Sequence, residues 1–273
     1  MSEHGPTVTV VMPSFNHGSF IREAIDSILG QDYPTSVLVM DGGSTDGTLE
    51  VLASYGKCIE WVSEPDAGLY DAVNKGWARA NSDWLGWVNC DDRLCLGAVR
   101  RLLEAASSHR PLPDLVYGDE LRMNVDGDVL ERIACGPPDA ERLLRNGNSI
   151  FIGASLVRRE FVHHIGSFDL RYPLAADYDF LVRCVTRGEA VHVPVPAAMF
   201  RMHTDSKSQS CRWQMWHETL EISRELYGRR SLRLGTRYLA DRAAHSLFTD
   251  DVLWKRRLIP LRRSLRRIWE PRP

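Results

Sequence analysis

The sequence predicts an α/β fold with a mostly parallel sheet, because strand-length apolar runs alternate with helical patterns through its first half. Residues between these runs repeat apolar side chains at helical spacing, as at residues 20–29, 69–77 and 96–103. A strand, a helix and another strand in succession form a βαβ unit with parallel strands. The five runs predicted as strands are residues 8–12, 37–40, 59–62, 84–88 and 115–117.

The pattern changes beyond Asp119, where the sheet is expected to become mixed. Two short runs flank the turn sequence NVDGD at residues 124–128, which predicts a β-hairpin. A helix is predicted over residues 177–187, followed by two strands that Pro194 and Pro196 separate. The runs predicted as strands here are residues 120–123, 129–133, 190–193 and 197–202.

The segment after Ser210 is predicted to be mostly helical, and a break near residues 207–210 separates it from the rest. We therefore expect a main domain over residues 1–206 and a basic, helical C-terminal extension over residues 207–273. A chain of 273 residues with 44% hydrophobic residues is long enough to bury the core of such a globular domain.

Cysteine usage and the apolar runs bear on where the protein works. The six cysteines form no CxxC pair, so neither a disulfide framework nor a zinc site is indicated. The amino-terminal segment lacks a basic region before its short apolar run, which argues against a signal peptide. No run is long enough to span a bilayer. We expect a cytoplasmic protein.

Charge is distributed unevenly along the chain. Residues 212–273 carry 15 Lys and Arg against 7 Asp and Glu, whereas the rest of the chain is acidic. An acidic body repels phosphate backbones and the tail has no zinc-finger or RNP signature, so a nucleic-acid partner is not expected. Apolar residues in the tail recur at heptad-like spacing between seven basic residues, and they are Trp254, Leu258, Leu261, Leu265 and Ile268.

Such a basic amphipathic helix, divided or kinked by Pro260, suits the surface of an anionic membrane, where each cation contributes about 1 kcal/mol. Peripheral association with the inner face of the cell membrane is therefore expected. The alternative is that these helices pack on the main domain or on a second subunit.

Carboxylates follow two of the predicted strands. The apolar run at residues 84–88 ends on Asp91 and Asp92, and the run at residues 37–40 ends on Asp41, which Gly42 and Gly43 follow. Open α/β sheets bind ligands at the carboxyl ends of their strands, where carboxylates attract hard cations that carry phosphates. The sequence predicts a metal and diphosphate site. The alternative is that residues 89–92 cap a helix that begins near residue 94.

Six motifs span most of residues 7–205: PSFN, DGGSTDGT, SEPDAGLYDAVNKG, WVNCDD, LVYGD and LAADYDFLVRC. With these motifs in this order, the chain resembles the family 2 glycosyltransferases. The resemblance implies a GT-A fold, a nucleotide-diphospho-sugar donor, a divalent Mn²⁺ or Mg²⁺ ion, and inversion at the anomeric carbon. It also implies a glycan or lipid-linked acceptor in cell-surface polysaccharide or glycolipid biosynthesis.

The resemblance suggests how the metal is held. Asp92 is expected to be the direct metal ligand, while Asp91 contacts the ribose of the donor or assists the metal. His203, after the last predicted strand, completes the metal shell or contacts the diphosphate, or else is an ordinary loop histidine. Asn89 stands where many relatives have Asp, and its carbonyl oxygen is still a potential ligand. Arg201 is a candidate to offset diphosphate charge.

Other motif residues are expected to bind the nucleotide sugar. Gly42 stands where many relatives carry a second Asp, so the identity of the base stays open. Asp46 is expected to cap the following helix, and the alternative for Lys75 is a solvated surface residue. The predicted donor contacts, besides Asp91, are Pro13, Ser14, Asp41, Asp66 and Lys75.

Asp177 matches the position of the catalytic base of the family. Inversion requires one base that removes the acceptor hydroxyl proton while the anomeric carbon is attacked. Asp179 lies on a different helix face and is expected to hold Arg183 at the i,i+4 position. The alternative for this pair is N-capping of the predicted helix.

The residues disfavour two other interpretations, one an enzyme class and one a binding protein. A sugar-phosphate nucleotidyltransferase requires a GxGTR loop after the first strand, where this chain has PSFN. A catalytically silent scaffold is disfavoured because Asp91, Asp92 and Asp177 are all present. A QxxRW match at Gln209, Arg212 and Trp213 is read as chance or as an acceptor-side stacking contact.

Overall fold

The computed structural model describes residues 5–203, 210–228 and 231–248. In these ranges the strands are β1 (Val8–Ser14), β2 (Ser36–Asp41), β3 (Glu60–Ser63), β4 (Trp84–Trp87), β5 (Arg93–Leu94), β6 (Leu115–Met123), β7 (Val129–Ile133), β8 (Ser155–Arg158) and β9 (Ala190–Arg201). They form one nine-stranded sheet in the order β3-β2-β1-β4-β8-β6-β9-β5, with β7 beside β6.

The sheet is parallel in its first half and mixed in its second. Strands β3, β2, β1 and β4 pair in parallel, so their carboxyl ends lie along one edge. Strand β8 is antiparallel to both β4 and β6, β7 forms the predicted hairpin with β6, and β9 runs parallel to β6. The predicted α/β fold with a mixed second half is confirmed.

Helices cover both faces of the sheet and create two core layers. Alternate residues of β1 enter opposite layers: Val11 packs in the layer that includes the helices Leu69–Arg79 and Ala176–Arg187, and Val10 in the layer of the helices Ile21–Leu29 and Ala98–Ser108. The described helices are α1 (Ile21–Leu29), α2 (Thr48–Ser54), α3 (Leu69–Arg79), α4 (Ala98–Ser108), α5 (Ala140–Asn146), α6 (Arg159–Ile165), α7 (Ala176–Arg187), α8 (Arg212–Tyr227) and α9 (Leu232–Phe248).

Strand β9 corrects the prediction of two separate strands. It continues through Pro194 and Pro196 because its pairing with β6 shifts register, from Tyr117 opposite His192 to Asp119 opposite Pro196. A bulge of this kind accommodates prolines, which have no N–H to donate to the ladder. The helix expected to begin near residue 94 also begins later, at the start of α4.

The described part of the C-terminal segment packs on the main domain. Ile222 of α8 is buried, the Ser223 hydroxyl donates to the Leu144 carbonyl at 2.8 Å, and Leu234 of α9 is fully buried near Gly147. The predicted amphipathic segment, residues 254–268, lies outside the described residues. Within the described ranges, none of the helices has the length and apolar character needed to cross a membrane.

Helix α3 approaches the sheet most closely at Gly76. A Cβ at this position would lie 2.4 Å from Cγ1 of Val11 on β1 and 3.0 Å from Cγ of Met40 on β2. Only a residue without a side chain fits there while the helix keeps its depth against the strands. Gly76 therefore fixes the distance between α3 and the sheet.

Gly76→Ala should destabilise the protein by about 1–3 kcal/mol, because the added methyl group overpacks a filled contact. Urea denaturation measures this as a lower midpoint. Gly235→Ala on α9 is the matched control. Its Cβ would meet no atom within 4 Å, and alanine is a better helix former than glycine. An unchanged midpoint for Gly76→Ala would show that the α3 contact is loose.

Candidate active site

The turns after β1 and β2 are joined by hydrogen bonds at the edge where the parallel strands end. The Asn16 amide donates to Ser44 Oγ and the Asn16 side chain accepts from the Thr45 amide, both at 2.8 Å. The Gly18 amide donates to the Asp46 carboxylate at 3.0 Å, and Asp46 also accepts from Thr48 at the start of α2. Asn16 has φ +56°, a left-handed conformation that asparagine tolerates. The two turns form one surface.

Asp41 is buried beneath this surface, with 2% of its area exposed. Its carboxylate accepts hydrogen bonds from the amides of Gly43 and Ser44 and from the hydroxyls of Ser44 and Ser63. These donors occupy both carboxylate oxygens, so Asp41 braces the turn from inside.

Pro13 and Ser14, also predicted donor contacts, are buried at the end of β1. The Ser14 hydroxyl has no hydrogen-bond partner among the described residues, whereas the Ser14 carbonyl accepts from the Gly42 amide at 2.8 Å. The structure thus keeps the Pro13 and Ser14 side chains away from the open surface of the turn.

An exposed aromatic residue and a carboxylate lie beside Gly42. A Cβ on Gly42 would stand 2.7 Å from Oδ2 of Asp66 and 3.4 Å from Cδ2 of Phe15. Asp66 also accepts from the Gly68 amide at 2.7 Å, and Phe15 is 58% exposed. Asp66 therefore fills the space of a side chain at position 42. Sequence reasoning missed Phe15, although an aromatic in the turn after a buried strand was a signal for it.

Lys75 contacts the loop that carries Asp66. Its ammonium donates to the Pro65 carbonyl at 3.2 Å and pairs with Asp71 at 3.1 Å. The Asp71 carboxylate accepts from the Ala67 amide, which is the main cause of its lowered pKa, and Lys75 contributes too. Lys75 is only partly exposed, and these contacts make it a brace of the loop.

The Asp92 carboxylate is buried, with 1% of the residue exposed. It accepts from the Asn89 side-chain amide at 3.0 Å and from the Arg201 backbone amide at 2.8 Å. Desolvation, followed by the charge of Asp91, raises its pKa. The prediction of Asp92 as the direct metal ligand stays a prediction; in this structure each of its carboxylate oxygens accepts one hydrogen bond from the protein. The capping alternative is wrong, since Gly97 precedes α4.

Asp91, unlike its neighbour, reaches the surface and contacts His203. The imidazole Nε2 lies 2.9 Å from Asp91 Oδ2, and both side chains are partly accessible. Among the described residues no group of three or more His, Cys, Asp or Glu forms a metal cluster. A pair still fits a hard cation, because Mg²⁺ is commonly held by one or two protein ligands, water and substrate phosphates.

Arg201 is fully buried and holds this region together. Its guanidinium donates to the carbonyls of Asp91 and Val125 and pairs with Glu23 at 2.7 Å. It also lies over the Phe20 ring, 4.8 Å from the centroid. The side chain is committed to these partners, so it is not available to neutralise a diphosphate as predicted from the sequence.

Asp177 lies in the first turn of α7, where two side chains donate to its carboxylate. The Tyr70 hydroxyl donates to Oδ1 at 2.9 Å and the Asn148 amide to Oδ2 at 3.4 Å. Tyr70 packs edge-on against Trp87 of β4, with ring centroids 5.7 Å apart. Desolvation raises the pKa of Asp177, and the Tyr70 hydrogen bond opposes that shift. Tyr70 and Asn148 were not predicted from the sequence.

The remaining predictions in this region concern ion pairs and the QxxRW match. Asp179 pairs with Arg183 at 2.8 Å, as expected for i,i+4 neighbours. Arg212 pairs with Asp241, and Trp213 packs against Tyr238 with centroids 6.2 Å apart, so both residues join α8 to α9. Gln209 lies outside the described residues.

Sequence comparison decides the family. A profile described as Glycosyl transferase family 2 matches residues 9–166, more than half of the chain. The chain belongs to glycosyl transferase family 2. The resemblance stated from the motifs is thereby confirmed, and neither the nucleotidyltransferase nor the silent scaffold is favoured.

Relatives of this family 2 glycosyltransferase include mycobacterial enzymes. It is 33% identical over 185 residues to a PGL/p-HBAD biosynthesis glycosyltransferase of Mycobacterium bovis (strain BCG / Pasteur 1173P2), an alignment that covers 66% of this chain and 70% of that protein. An uncharacterised glycosyltransferase of Mycobacterium tuberculosis (strain CDC 1551 / Oshkosh) is 32% identical over 201 residues, covering 69% and 72%.

Solved structures share the GT-A fold of this family 2 glycosyltransferase. Staphylococcus aureus TarS 1-349 in complex with UDP-GlcNAc superposes with a TM-score of 0.61 at 16% identity, covering 79% of this chain and 65% of that one. This chain thus spans less than two thirds of the TarS fragment. The mannosyltransferase PcManGT of Pyrobaculum calidifontis, in complex with GDP-Man and Mn²⁺, gives 0.59 at 17% identity, covering 95% and 80%.

Proposed function

We propose that this family 2 glycosyltransferase moves a sugar, with inversion, from a nucleoside-diphosphate donor to a hydroxyl of a glycan or lipid-linked acceptor. The observation that carries the proposal is the presence of two acidic centres with different contacts. One is the partly accessible Asp91–His203 pair, suited to a cation and a diphosphate. The other is Asp177, a partly buried carboxylate braced by Tyr70.

Asp177 serves as the base. The acceptor oxygen forms a bond to the anomeric carbon as the bond from that carbon to the diphosphate oxygen breaks, and the acceptor proton passes to the Asp177 carboxylate. A carboxylate with a raised pKa binds this proton more strongly than an ordinary one, which improves general base catalysis. The Tyr70 hydroxyl keeps one carboxylate oxygen oriented while the other accepts the proton.

Asp91 and His203 are the residues that would hold a Mn²⁺ or Mg²⁺ ion. Such an ion, when bound, supplies positive charge that stabilises the departing diphosphate. The carboxylate and imidazole present here suit that cation, and the Mn²⁺ in the PcManGT complex supports its choice. Asp92 acts behind them by fixing the loop through Arg201.

Phe15 and Asp66 are proposed to receive the nucleoside, with Asp41 and Lys75 bracing the turns that carry them. An exposed aromatic face offers stacking to any base, and the Asp66 carboxylate is an acceptor beside it. The nucleotide sugars in the TarS and PcManGT complexes support this class of donor.

The acceptor is proposed to be a glycolipid, reached from an anionic membrane surface. The name of the Mycobacterium bovis relative places that protein in PGL/p-HBAD biosynthesis. On α9 of this chain, Leu232 and Leu239 are 85% and 63% exposed, and the exposed Arg233 and Arg237 accompany them. A surface of leucine and arginine suits a lipid interface.

Purified protein should be stabilised by one of UDP, GDP, dTDP and CDP, and more so with Mn²⁺. Saturating ligand should raise the Tm by about 5 °C or more, measured by thermal denaturation. Asp91→Asn and His203→Ala should remove the Mn²⁺-dependent part, whereas the exposed control Asp126→Asn should retain it. No shift with any nucleotide would contradict a nucleoside-diphosphate donor.

Asp177→Asn should lower kcat by about 100-fold or more, since the base is lost, while the dissociation constant of the donor stays the same. Turnover is measured as nucleoside diphosphate released from a panel of UDP-, GDP-, dTDP- and CDP-sugars, with and without acceptor glycolipid. Asp169→Asn is the control, because Asp169 pairs with Arg171 on the adjacent loop. Normal turnover by Asp177→Asn would remove this residue from the mechanism.

Asp177→Asn and Asp169→Asn should change the Tm in opposite directions at neutral pH. The pKa of Asp177 is raised above its ordinary 3.8 in the folded chain, so its ionisation costs stability as the pH rises through the folded value. Asp177→Asn should therefore raise the Tm. The pKa of Asp169 is lowered, mainly by Arg171, so its loss should lower the Tm.

Co-sedimentation with vesicles should show tighter binding to anionic phosphatidylglycerol than to neutral phosphatidylcholine. Replacing four tail arginines with glutamine, namely Arg262, Arg263, Arg266 and Arg267, should weaken anionic binding by about 1000-fold, at about 1 kcal/mol for each charge. Equal binding to both kinds of vesicle would contradict electrostatic membrane contact.

A further inference from the structure

Glu218 of α8 reaches across to the amino end of α7. Its carboxylate oxygen Oε2 accepts hydrogen bonds from the backbone amides of Leu174 and Ala175, at 2.8 and 2.9 Å. These amides immediately precede α7, and Ala175 is its N-cap residue. Glu218 is buried, with 8% of its surface exposed. A residue of the C-terminal segment therefore holds the chain two residues before Asp177.

Helix α7 does not supply this acceptor itself. Ala175 has no side chain that accepts a hydrogen bond, and no side-chain cap is formed at this helix end. Of the two carboxylates in the first turn, Asp179 pairs with Arg183 and Asp177 accepts from Tyr70. In a capping box, a Glu at the third helical position accepts from the N-cap amide. Glu218 fills that place from another helix.

The position of Glu218 is itself fixed by the packing of α8. Ile222, one turn further along, is buried in the core layer of α7, and the Ser223 hydroxyl donates to the Leu144 carbonyl at 2.8 Å. The Gln214 side chain lies 3.4 Å from the second carboxylate oxygen of Glu218. The packing of α8 thus holds Glu218 within hydrogen-bond distance of the residues that precede α7.

The same carboxylate influences the hydrogen-bond donor of Asp177. Burial is the main cause of the raised pKa of Tyr70, and the charges of Asp177 and Glu218 add to it. Glu218 therefore acts on both partners of the Tyr70–Asp177 hydrogen bond. It contacts the backbone that leads to Asp177, and its negative charge affects Tyr70.

We propose that Glu218 is a positioning residue for Asp177, which it orients by holding the two amides that lead into α7. This inference rests on the proposed role of Asp177 as the base. Loss of the acceptor leaves two backbone N–H groups without a partner, so the entry to α7 must shift to reach water. A displacement of about 1 Å is sufficient to lower turnover about 100-fold.

The test compares three full-length variants: Glu218→Ala, Glu218→Gln and the control Glu221→Ala, whose side chain is exposed on the same helix. Donor dissociation constants, kcat from nucleoside diphosphate release, and Tm are measured for each. We expect Glu218→Ala to lower kcat by about 10- to 100-fold with the donor dissociation constant unchanged. Glu218→Gln keeps an oxygen acceptor and should retain kcat within about threefold, as should Glu221→Ala.

Three results would overturn the inference. Wild-type kcat in Glu218→Ala would show that the amides need no acceptor. An equal loss of kcat in Glu218→Gln would show that the charge of Glu218 matters rather than its acceptor oxygen. A loss of donor binding in parallel with kcat would show that Glu218→Ala is generally misfolded. If Glu218→Ala fails to fold, the kcat of Glu218→Gln against Glu221→Ala decides, since a decrease there contradicts the acceptor role. Normal turnover by Asp177→Asn would instead refute the base assignment itself.

Discussion

The hydrogen bond from the Arg201 amide to the buried carboxylate of Asp92 joins two segments that lie 109 positions apart in the chain. A buried polar group that lacks a hydrogen-bond partner destabilises the fold by about 1–3 kcal/mol, and a buried charged carboxylate without donors costs more. The loop after β4 and the end of β9 are therefore held together, and the Arg201 guanidinium fixes the Asp91 carbonyl from the same side. Because these two segments are joined, Asp91 and His203 meet, and the proposed cation site exists only through that join.

Much of the fold was predictable because its signals are local. Alternating apolar runs gave the parallel half of the sheet, and the NVDGD turn gave the hairpin strand Val129–Ile133 with the bounds observed. The motifs likewise indicated which strand ends carry carboxylates, since DGGSTDGT, SEPDAGLYDAVNKG and WVNCDD each begin at the last residue of a strand. Periodicity could not reveal Ser155–Arg158, a strand of four residues whose place between β4 and β6 depends on the whole sheet. Nor could it show that strand β9 absorbs two prolines in a bulge.

The site was less predictable, because burial depends on distant partners. The local sequence does not indicate which of two adjacent aspartates is buried, yet Asp92 is buried and accepts from the Arg201 amide, while Asp91 stays partly accessible. The Tyr70–Asp177 contact spans 107 positions, and no local pattern announces it. The division of the chain at residue 206 stays a prediction. Helix α8, which lies beyond that residue, contacts the backbone immediately before α7, the helix that carries the proposed base.

Gly76 links the packing of the sheet to the chemistry of Asp177. Tyr70 lies six residues earlier on α3, about 9 Å along the helix axis, so the depth of the helix against β1 determines how far the Tyr70 hydroxyl extends. A relative with a larger residue at this position would require smaller ones in place of Val11 or Met40 to keep the same reach. Residues 11, 40 and 76 should therefore change together during evolution, although none of them touches a substrate.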